Sequence, residues 1–504
     1  MSFIRKIKRN GKIYLAEVES YRSGGKVRQR YIGYKGIEKQ ENDSKFEFHI
    51  RDIHVQDVKV YGPVIVLESI ARDLGLFEIL GADADKILTL AFAHCLGYKS
   101  ARETEDWFKK TDLAAVFGVQ KISIDQIYSA VERLSKVEIE PIEKSIFENL
   151  KSIFGDDEAG VIYDGTNTHL SGSCSSLANY GKDKEGVKGR KLIQIGLGVT
   201  RTLGLPIFHQ VYSGNIHDTK MFNEAILKFR TLGLKSGLAV FDRGITSSEC
   251  VSKLQNLGWK CLAGLSKHRG IQSQISKMDF SKLQTYRNLY IQGETTFYAQ
   301  SVPFCLGPCK GKLIILQNPI KKQKVTIDRL RVINAASEAL KLENKKPPEE
   351  LTKYFNKDGS VNTHAIKRDE NEDGFSFLFT NAKLSVQTAI SQYFEKDLIE
   401  QCFRLSKSTL NLRPIRFILD NRIRTHVFIC YIALSLLTTV RIRLKKANIY
   451  KDPGLILHNL ESIFKIYLIG KNPASKLITS FTRVNTMTKQ QKLIIKVIAP
   501  NLEM

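Results

Sequence analysis

Asp164 and Asp242 each close a short apolar run, VIYDGT and LAVFDRG. Such runs read as buried strands, and the strand ends of an open α/β sheet are where functional groups are displayed. An aspartate there is also a common turn former or helix cap, so neither position is decisive by itself. A third carboxylate, Glu400, lies in SVQTAISQYFEKDLIEQCFRLSK. At about 100° per residue, Tyr393, Lys396, Glu400, Arg404 and Lys407 share one polar arc, while Ile390, Phe394, Leu398, Cys402 and Leu405 form another face. The spacing therefore predicts an amphipathic helix, capped by Ser385 and running through Lys407. An ordinary solvated helix with Lys396 and Glu400 paired at i,i+4 fits the same pattern, and periodicity leaves both readings open. If the three carboxylates meet, their repulsion demands protons or divalent cations. An all-oxygen donor set suits Mg²⁺, with Mn²⁺ as the alternative. Two such ions about 3.5–4 Å apart would activate an oxygen nucleophile and stabilise a leaving oxygen.

The elements that must position these groups follow from pattern. Between about 159 and 265, AGVIYDG, KLIQIGLGVT and LPIFHQVYSG read as strands, followed by a helix from about Asp218, the strand GLAVFDRG and another helix. That order is an α/β sheet. From about Lys267 to Asp373 the sequence is β-leaning and very basic, as in PIKKQKVTIDRLR, and FSFLFTN then resumes a buried strand. The basic stretch reads as a domain inserted into the α/β unit.

Upstream, residues 1–36 alternate and are broken at Asn10-Gly11 and Ser23-Gly24-Gly25, which predicts a small antiparallel sheet. Lys6, Lys8, Arg9, Lys12, Arg22, Lys26, Arg28 and Arg30 interleave there with Tyr14, Tyr21, Tyr31 and Tyr34. A phosphate-contacting face and a merely solvated hairpin both fit. From Tyr61 to about Leu150 apolar residues recur at three and four, which predicts helices with Trp107 in their core. The expected organisation is a basic β-hairpin element (1–36), a helical DNA-binding and dimerisation domain (37–150), two parts of an α/β core (151–266 and 374–446) around a basic β-rich insertion (267–373), and a helical C-terminal tail (447–504).

Lys and Arg number 77 against 52 Asp and Glu, a formal charge of +25 spread along the chain. A polyanionic partner accounts for that excess, and nucleic acid does so better than a membrane. The apolar run Val427–Leu437 is shorter than the roughly 20 residues a spanning helix needs and reads as a buried helix. No secretory signal is visible at the start. Of eight scattered cysteines only Cys305 and Cys309 are close, without a second pair or a nearby histidine, so a reducing cytoplasm fits better than a zinc site.

The spacing Tyr393, Lys396, Glu400, Lys407 resembles the tyrosine-arginine-glutamate-lysine signature of a large group of insertion-sequence DDE transposases. GLPIFHQVYSGNIHDTKMF, AVFDRGITS, FLFTN and LRPIRFILDNRIRTHVFICYIAL look like further blocks of that group in the same order, so the similarity covers most of residues 1–440. The resemblance implies an RNase H-like catalytic core interrupted by an insertion, with Asp164, Asp242 and Glu400 as catalytic and metal-binding acids. It also implies DNA contacts at Tyr393, Lys396 and Lys407, to which Arg404 adds itself from the same polar arc and Arg243 by adjacency to Asp242. The expected partners are double-stranded DNA, as terminal inverted repeats and target, and a second copy of the chain in a synaptic dimer, at the nucleoid in the cytoplasm of a prokaryote. One residue departs from the signature: Lys396 stands where it has arginine, and lysine lacks the planar fork for bidentate phosphate contacts. A non-catalytic DNA-binding protein derived from a decayed copy is the alternative, and scattered positions for the three acids would favour it. Nearby, Asp218 reads as a helix N-cap and His217 as structural. Arg422, Arg424 and His426 read as DNA contacts or as partners of backbone carbonyls. Tyr286, Tyr290, Phe297 and Tyr298 read as base-stacking or core residues.

Overall fold

The computed structural model describes residues 2–9, 12–23, 26–38, 52–97, 100–155, 160–170, 175–184, 186–187, 189–275, 280–343, 347–410, 412, 414–415, 417–471 and 478–502. Contacts divide the chain into two compact units, one of residues 1–133 with 439–504, the other of residues 134–438. A boundary near residue 150 would cut the helix Ile139–Phe154; the units divide instead between residues 133 and 134, so that helix belongs whole to the second unit.

In the first unit, β1 (Ser2–Arg9), β2 (Lys12–Ser23) and β3 (Lys26–Glu38) form an antiparallel meander. Alternation buries Ala16 and Val18 and leaves Tyr21, Tyr31 and Tyr34 exposed, with Lys6, Arg22, Arg28 and Arg30 also at the surface. The turns at Asn10-Gly11 and Gly24-Gly25, and the side chains of Lys8, Arg9, Lys12, Tyr14 and Lys26, lie outside the described residues. Helices including Gly62–Asp73 and Ala84–Cys95 supply an apolar core, and Trp107 is buried in this unit.

Two parts of the unit differ from the helical reading. β4 (Ile53–Val60) is a strand, and it pairs antiparallel with Phe464–Lys471, which in turn pairs with Ile478–Val484. The tail 447–504 is therefore part strand. The pairing partners lie some four hundred residues apart, beyond the reach of any local pattern. Asp112 closes this region: only 2% exposed, it receives the Lys465 ammonium at 3.0 Å and the Tyr467 hydroxyl.

The second unit is built on a mixed sheet of β5 (Gly160–His169), β6 (Asn179–Tyr180), β7 (Lys191–Thr200), β8 (Pro206–Ser213), β9 (Leu238–Phe241), β10 (Lys260–Leu265), β11 (Leu289–Gln292), β12 (Thr295–Leu306), β13 (Cys309–Gln317) and β14 (Phe375–Thr380). β8, β7 and β5 are antiparallel neighbours, and β5, β9 and β10 run parallel, an order consistent with an RNase H-like core. Beneath it Tyr163, Phe222 and Phe241 pack ring against ring, with centroids 4.9 and 4.5 Å apart. Large buried rings supply much of the core's apolar area.

The stretch 267–373 is not a separate β domain. Its strands β11, β12 and β13 continue the same sheet through β14, which pairs antiparallel with both β13 and β10. PIKKQKVTIDRLR, expected to be β-leaning, begins the 25-residue helix Pro319–Glu343. Its lysines and arginines are good helix formers, which outweighs the few β-branched residues among them. The helix Asp420–Lys446 carries the apolar run around Val427–Leu437; 89% of its most apolar 18-residue window is buried, so it is a core helix.

Candidate active site

Asp164 lies in the middle of β5, not at its end, because β5 continues to His169. β9, however, pairs with β5 only from Gly160↔Leu238 to Tyr163↔Phe241. Asp164 and Asp242 are thus the first residues beyond that ladder on neighbouring parallel strands. The third acid arrives on the helix Asp397–Arg404, which packs against β5 and β7. Asp164, Asp242, Glu400 and Lys396 line one small cavity of about 30 Å³, walled by Ile162, Tyr163, Phe241 and Ile399.

The helix bearing Glu400 is not continuous. Ser385 caps Val386–Phe394 by accepting the Thr388 amide, but the helix breaks at Glu395 and Lys396 before Asp397–Arg404, and a π-helical turn follows at Leu405–Thr409. A π turn inside a helix is frequent at functional sites. The expected polar arc is nonetheless partly realised around one acid. The Tyr393 hydroxyl donates to Asp242 Oδ1 at 2.8 Å, and the Lys396 ammonium lies 3.6 Å from Asp242 and 3.7 Å from Glu400. Tyr393, expected as a DNA contact, thus spends its hydroxyl on a carboxylate. Lys407 is half-buried, close enough to Asp164 and Lys184 to feel both charges, while Arg243 and Arg404 are exposed. On the opposite face Ile390, Cys402 and Leu405 are buried, whereas Phe394 is exposed and packs its ring on Phe297 at 5.4 Å.

The three acids experience different fields. Burial pushes the Asp164 carboxyl up to about 6, with Asp242 and Asp218 adding to the rise and Lys184 and the Gly165 amide opposing it. At Asp242 burial acts upward too, but Lys396, the Arg243 amide and the Tyr393 hydroxyl outweigh it and hold the carboxyl below its usual value. Burial and the charge of Asp242 together raise the Tyr393 hydroxyl, so it stays protonated and remains a donor. Glu400, with a side chain 56% exposed, faces solvent on one side.

Sequence reasoning missed two participants. Asp218 does not cap its helix: His217 occupies the N-cap position without a side-chain bond, and Asp218 in the first turn pairs with Lys184 at 3.3 Å. The Lys184 ammonium also donates to the carbonyl of Gly165, next to Asp164. A loop lysine among several others carries no periodic signal that would have singled it out. A third omission is Gly264 on β10. A Cβ there would come within 2.6 Å of the Tyr393 hydroxyl and 2.9 Å of the Arg243 amide, so only glycine lets Tyr393 reach Asp242. Gly264→Ala is expected to displace that hydroxyl and, if the cavity is catalytic, slow DNA cleavage about tenfold to a hundredfold. Single-turnover cleavage by the folded variant checks this, with Tyr393→Phe as the matching control.

The sequence family described as "Transposase DDE domain" matches residues 155–436, more than half of the chain and nearly all of the second unit. The chain belongs to the DDE transposase family. Among solved structures, the cryo-EM structure of the piggyBac transposase synaptic complex with hairpin DNA aligns over 80% of this chain and 80% of that one, at 11% sequence identity and a TM-score of 0.41. Comparison with curated proteins gives no match. In this DDE transposase chain the remaining candidates divide by environment. Tyr286 is 89% exposed, Phe297 is buried, and Tyr290 and Tyr298 are half-buried. Arg424 donates to the Val211 carbonyl at 2.6 Å, and His426 is buried with its ring against Phe417, so these two serve packing and backbone satisfaction.

Proposed function

We propose that this chain is the transposase of a prokaryotic insertion sequence, working at the nucleoid. It binds its element's terminal inverted repeats as a dimer, cleaves the DNA ends and joins them to target DNA by metal-dependent phosphoryl transfer. The observation that carries this reading is the single cavity shared by Asp164, Asp242 and Glu400. A non-catalytic descendant has no need to keep three acids together, so their proximity favours the enzyme.

The donor set fits Mg²⁺. All three candidate ligands are carboxylates, and they share one cavity, a hard all-oxygen donor set of the kind this ion takes. When bound, Mg²⁺ supplies Lewis acidity at phosphate oxygens and lowers the pKa of water. The chain's residues do the rest. Tyr393 fixes the Asp242 carboxylate, and Lys396 balances charge between Asp242 and Glu400. Ile162, Phe241 and Ile399 keep one side of the cavity dry. Lys407, Arg404 and Arg243 offer cations around it for DNA phosphates, although Lys396 presents a point charge in place of the forked arginine of the signature.

The test is direct. Full-length protein is incubated with Mg²⁺ and labelled duplex carrying the inverted repeats that flank its gene. Expected products are strands cut at the repeat ends and, with added target, joined molecules. Binding should weaken with salt at a log–log slope of about −0.9 per phosphate neutralised. Salt-sensitive, specific binding with neither cutting nor joining in Mg²⁺ or Mn²⁺ would establish the non-catalytic alternative instead.

A further inference from the structure

The break in the Glu400 helix has a visible anchor. Glu395 (φ −59°, ψ −18°) and Lys396 (φ −57°, ψ −18°) form a tightened turn. The amides of Lys396, Leu398 and Ile399 bond back only three residues, at 3.3, 2.9 and 3.1 Å. Such 3₁₀ bonding advances the chain faster around the axis than an α turn does, so it resets the directions of every later side chain, Glu400 included. At the centre of this turn the Glu395 carboxylate accepts from Arg201 Nε at 2.8 Å, with the Arg201 side chain 7% and the Glu395 side chain 31% exposed.

Arg201 is itself fixed to the sheet. It follows directly on β7, and its backbone amide donates to the carbonyl of Gly160, the first residue of the strand that carries Asp164. One ion pair therefore ties the helix break to the strand of the first acid. A second tie lies further along, where the Cys402 thiol approaches the Gly204 carbonyl at 3.8 Å in the turn after β7.

We infer that Arg201 and Glu395 are a positioning pair: by pinning the tightened turn to β5 and β7 they aim Lys396 and Glu400 together at Asp242. Neither residue lines the cavity, and the role is exerted through Glu400 and Lys396. The inference rests on the metal-dependent reading of the site. Arg201 is buried and Glu395 partly so, and truncating either side of such an aligned pair removes the contact that holds the turn against the sheet.

The experiment uses full-length protein and two readouts. Mn²⁺ binding without DNA is followed by electron paramagnetic resonance, and single-turnover cleavage of repeat DNA is measured alongside duplex affinity. Arg201→Ala is expected to weaken Mn²⁺ binding and slow cleavage, each by about tenfold to a hundredfold, the cost typical of groups that orient metal ligands, with DNA affinity nearly unchanged. Arg201→Lys, which keeps the charge, should recover part of both. If Arg201→Ala fails to fold, Glu395→Gln, which preserves shape, should show the same two losses in milder form. Folded Arg201→Ala, or folded Glu395→Gln where the former is unavailable, with wild-type Mn²⁺ binding and cleavage overturns the inference. Glu400→Ala separates the two failures. If it too binds Mn²⁺ and cleaves normally, the reading of the site itself is wrong; if it is inactive while the pair variants are normal, only the positioning role falls.

Discussion

Alanine at Asp164, Asp242 or Glu400 is expected to slow cleavage and strand joining at least about a thousandfold, while binding to repeat DNA stays within a few-fold of wild type. On the proposed reading each substitution removes one of three oxygen ligands, and a metal ion contributes several kcal/mol of transition-state charge stabilisation, with about 1.4 kcal/mol per tenfold of rate. DNA affinity is set mainly by phosphate contacts distributed over many cations, to which three acids contribute nothing favourable. Gel analysis of end cleavage and filter binding on the same preparations measures both. Lys407→Ala should cost much less, because it leaves the acids in place. A Glu400→Ala protein that still cuts would remove Glu400 from the triad.

The second large effect concerns stability, and it runs opposite to activity. Asp164 is raised from its ordinary value of 3.8 to about 6. A carboxyl raised on folding binds more protons in the native state than in the unfolded one between those two values, so native stability falls as pH rises through that interval. Below about 4 the acid is protonated in both states and contributes no penalty. Above about 6 the full penalty is present, on the order of 3 kcal/mol for a shift of this size at about 1.36 kcal/mol per unit. Asp164→Asn is therefore expected to stabilise the metal-free protein at pH 8, by up to about 3 kcal/mol, and to give no gain near pH 4. Saturating Mg²⁺ should narrow the difference at pH 8, because it stabilises wild type and not the variant. Chemical unfolding at the two pH values, with and without Mg²⁺, reads all three outcomes. Equal stabilities at pH 8 without metal would show that Asp164 is not held against its charge.

The parts of this design that were legible in the sequence are those with local signatures. Apolar runs ending in aspartate marked β5 and β9, and helical spacing gathered Tyr393, Lys396 and Glu400 into one arc. What the pattern lacked was anything non-local. The ladder that stops at Tyr163↔Phe241 sets Asp164 beside Asp242, although β5 itself runs on to His169. Lys184 and Asp218 meet across the intervening hairpin of β7 and β8, and neither has a periodic context. Glu395, at the break, takes its partner from Arg201, almost two hundred residues upstream, so an uninterrupted helix was the natural local reading. The strands of the basic stretch were visible as strands, but their membership of the central sheet depends on β14, which returns after the Pro319–Glu343 helix.

The pairing of β4 with Phe464–Lys471 has a consequence for how the molecule comes into being. At 5–20 residues per second a ribosome needs roughly 20–80 s to travel from one partner to the other. During that time residues 134–438, which hold the three acids, emerge in full, whereas the sheet of the first unit lacks its middle strand. Until then β4 is an open edge, and the charged residues Asp57 and Lys59 along it are the kind that discourage unwanted pairing. A frameshift anywhere between 439 and 464 would therefore release a polypeptide with its acids intact and its first unit unfinished, so synthesis through Phe464–Lys471, rather than of the unit that holds the acids, decides when the first unit's sheet can close.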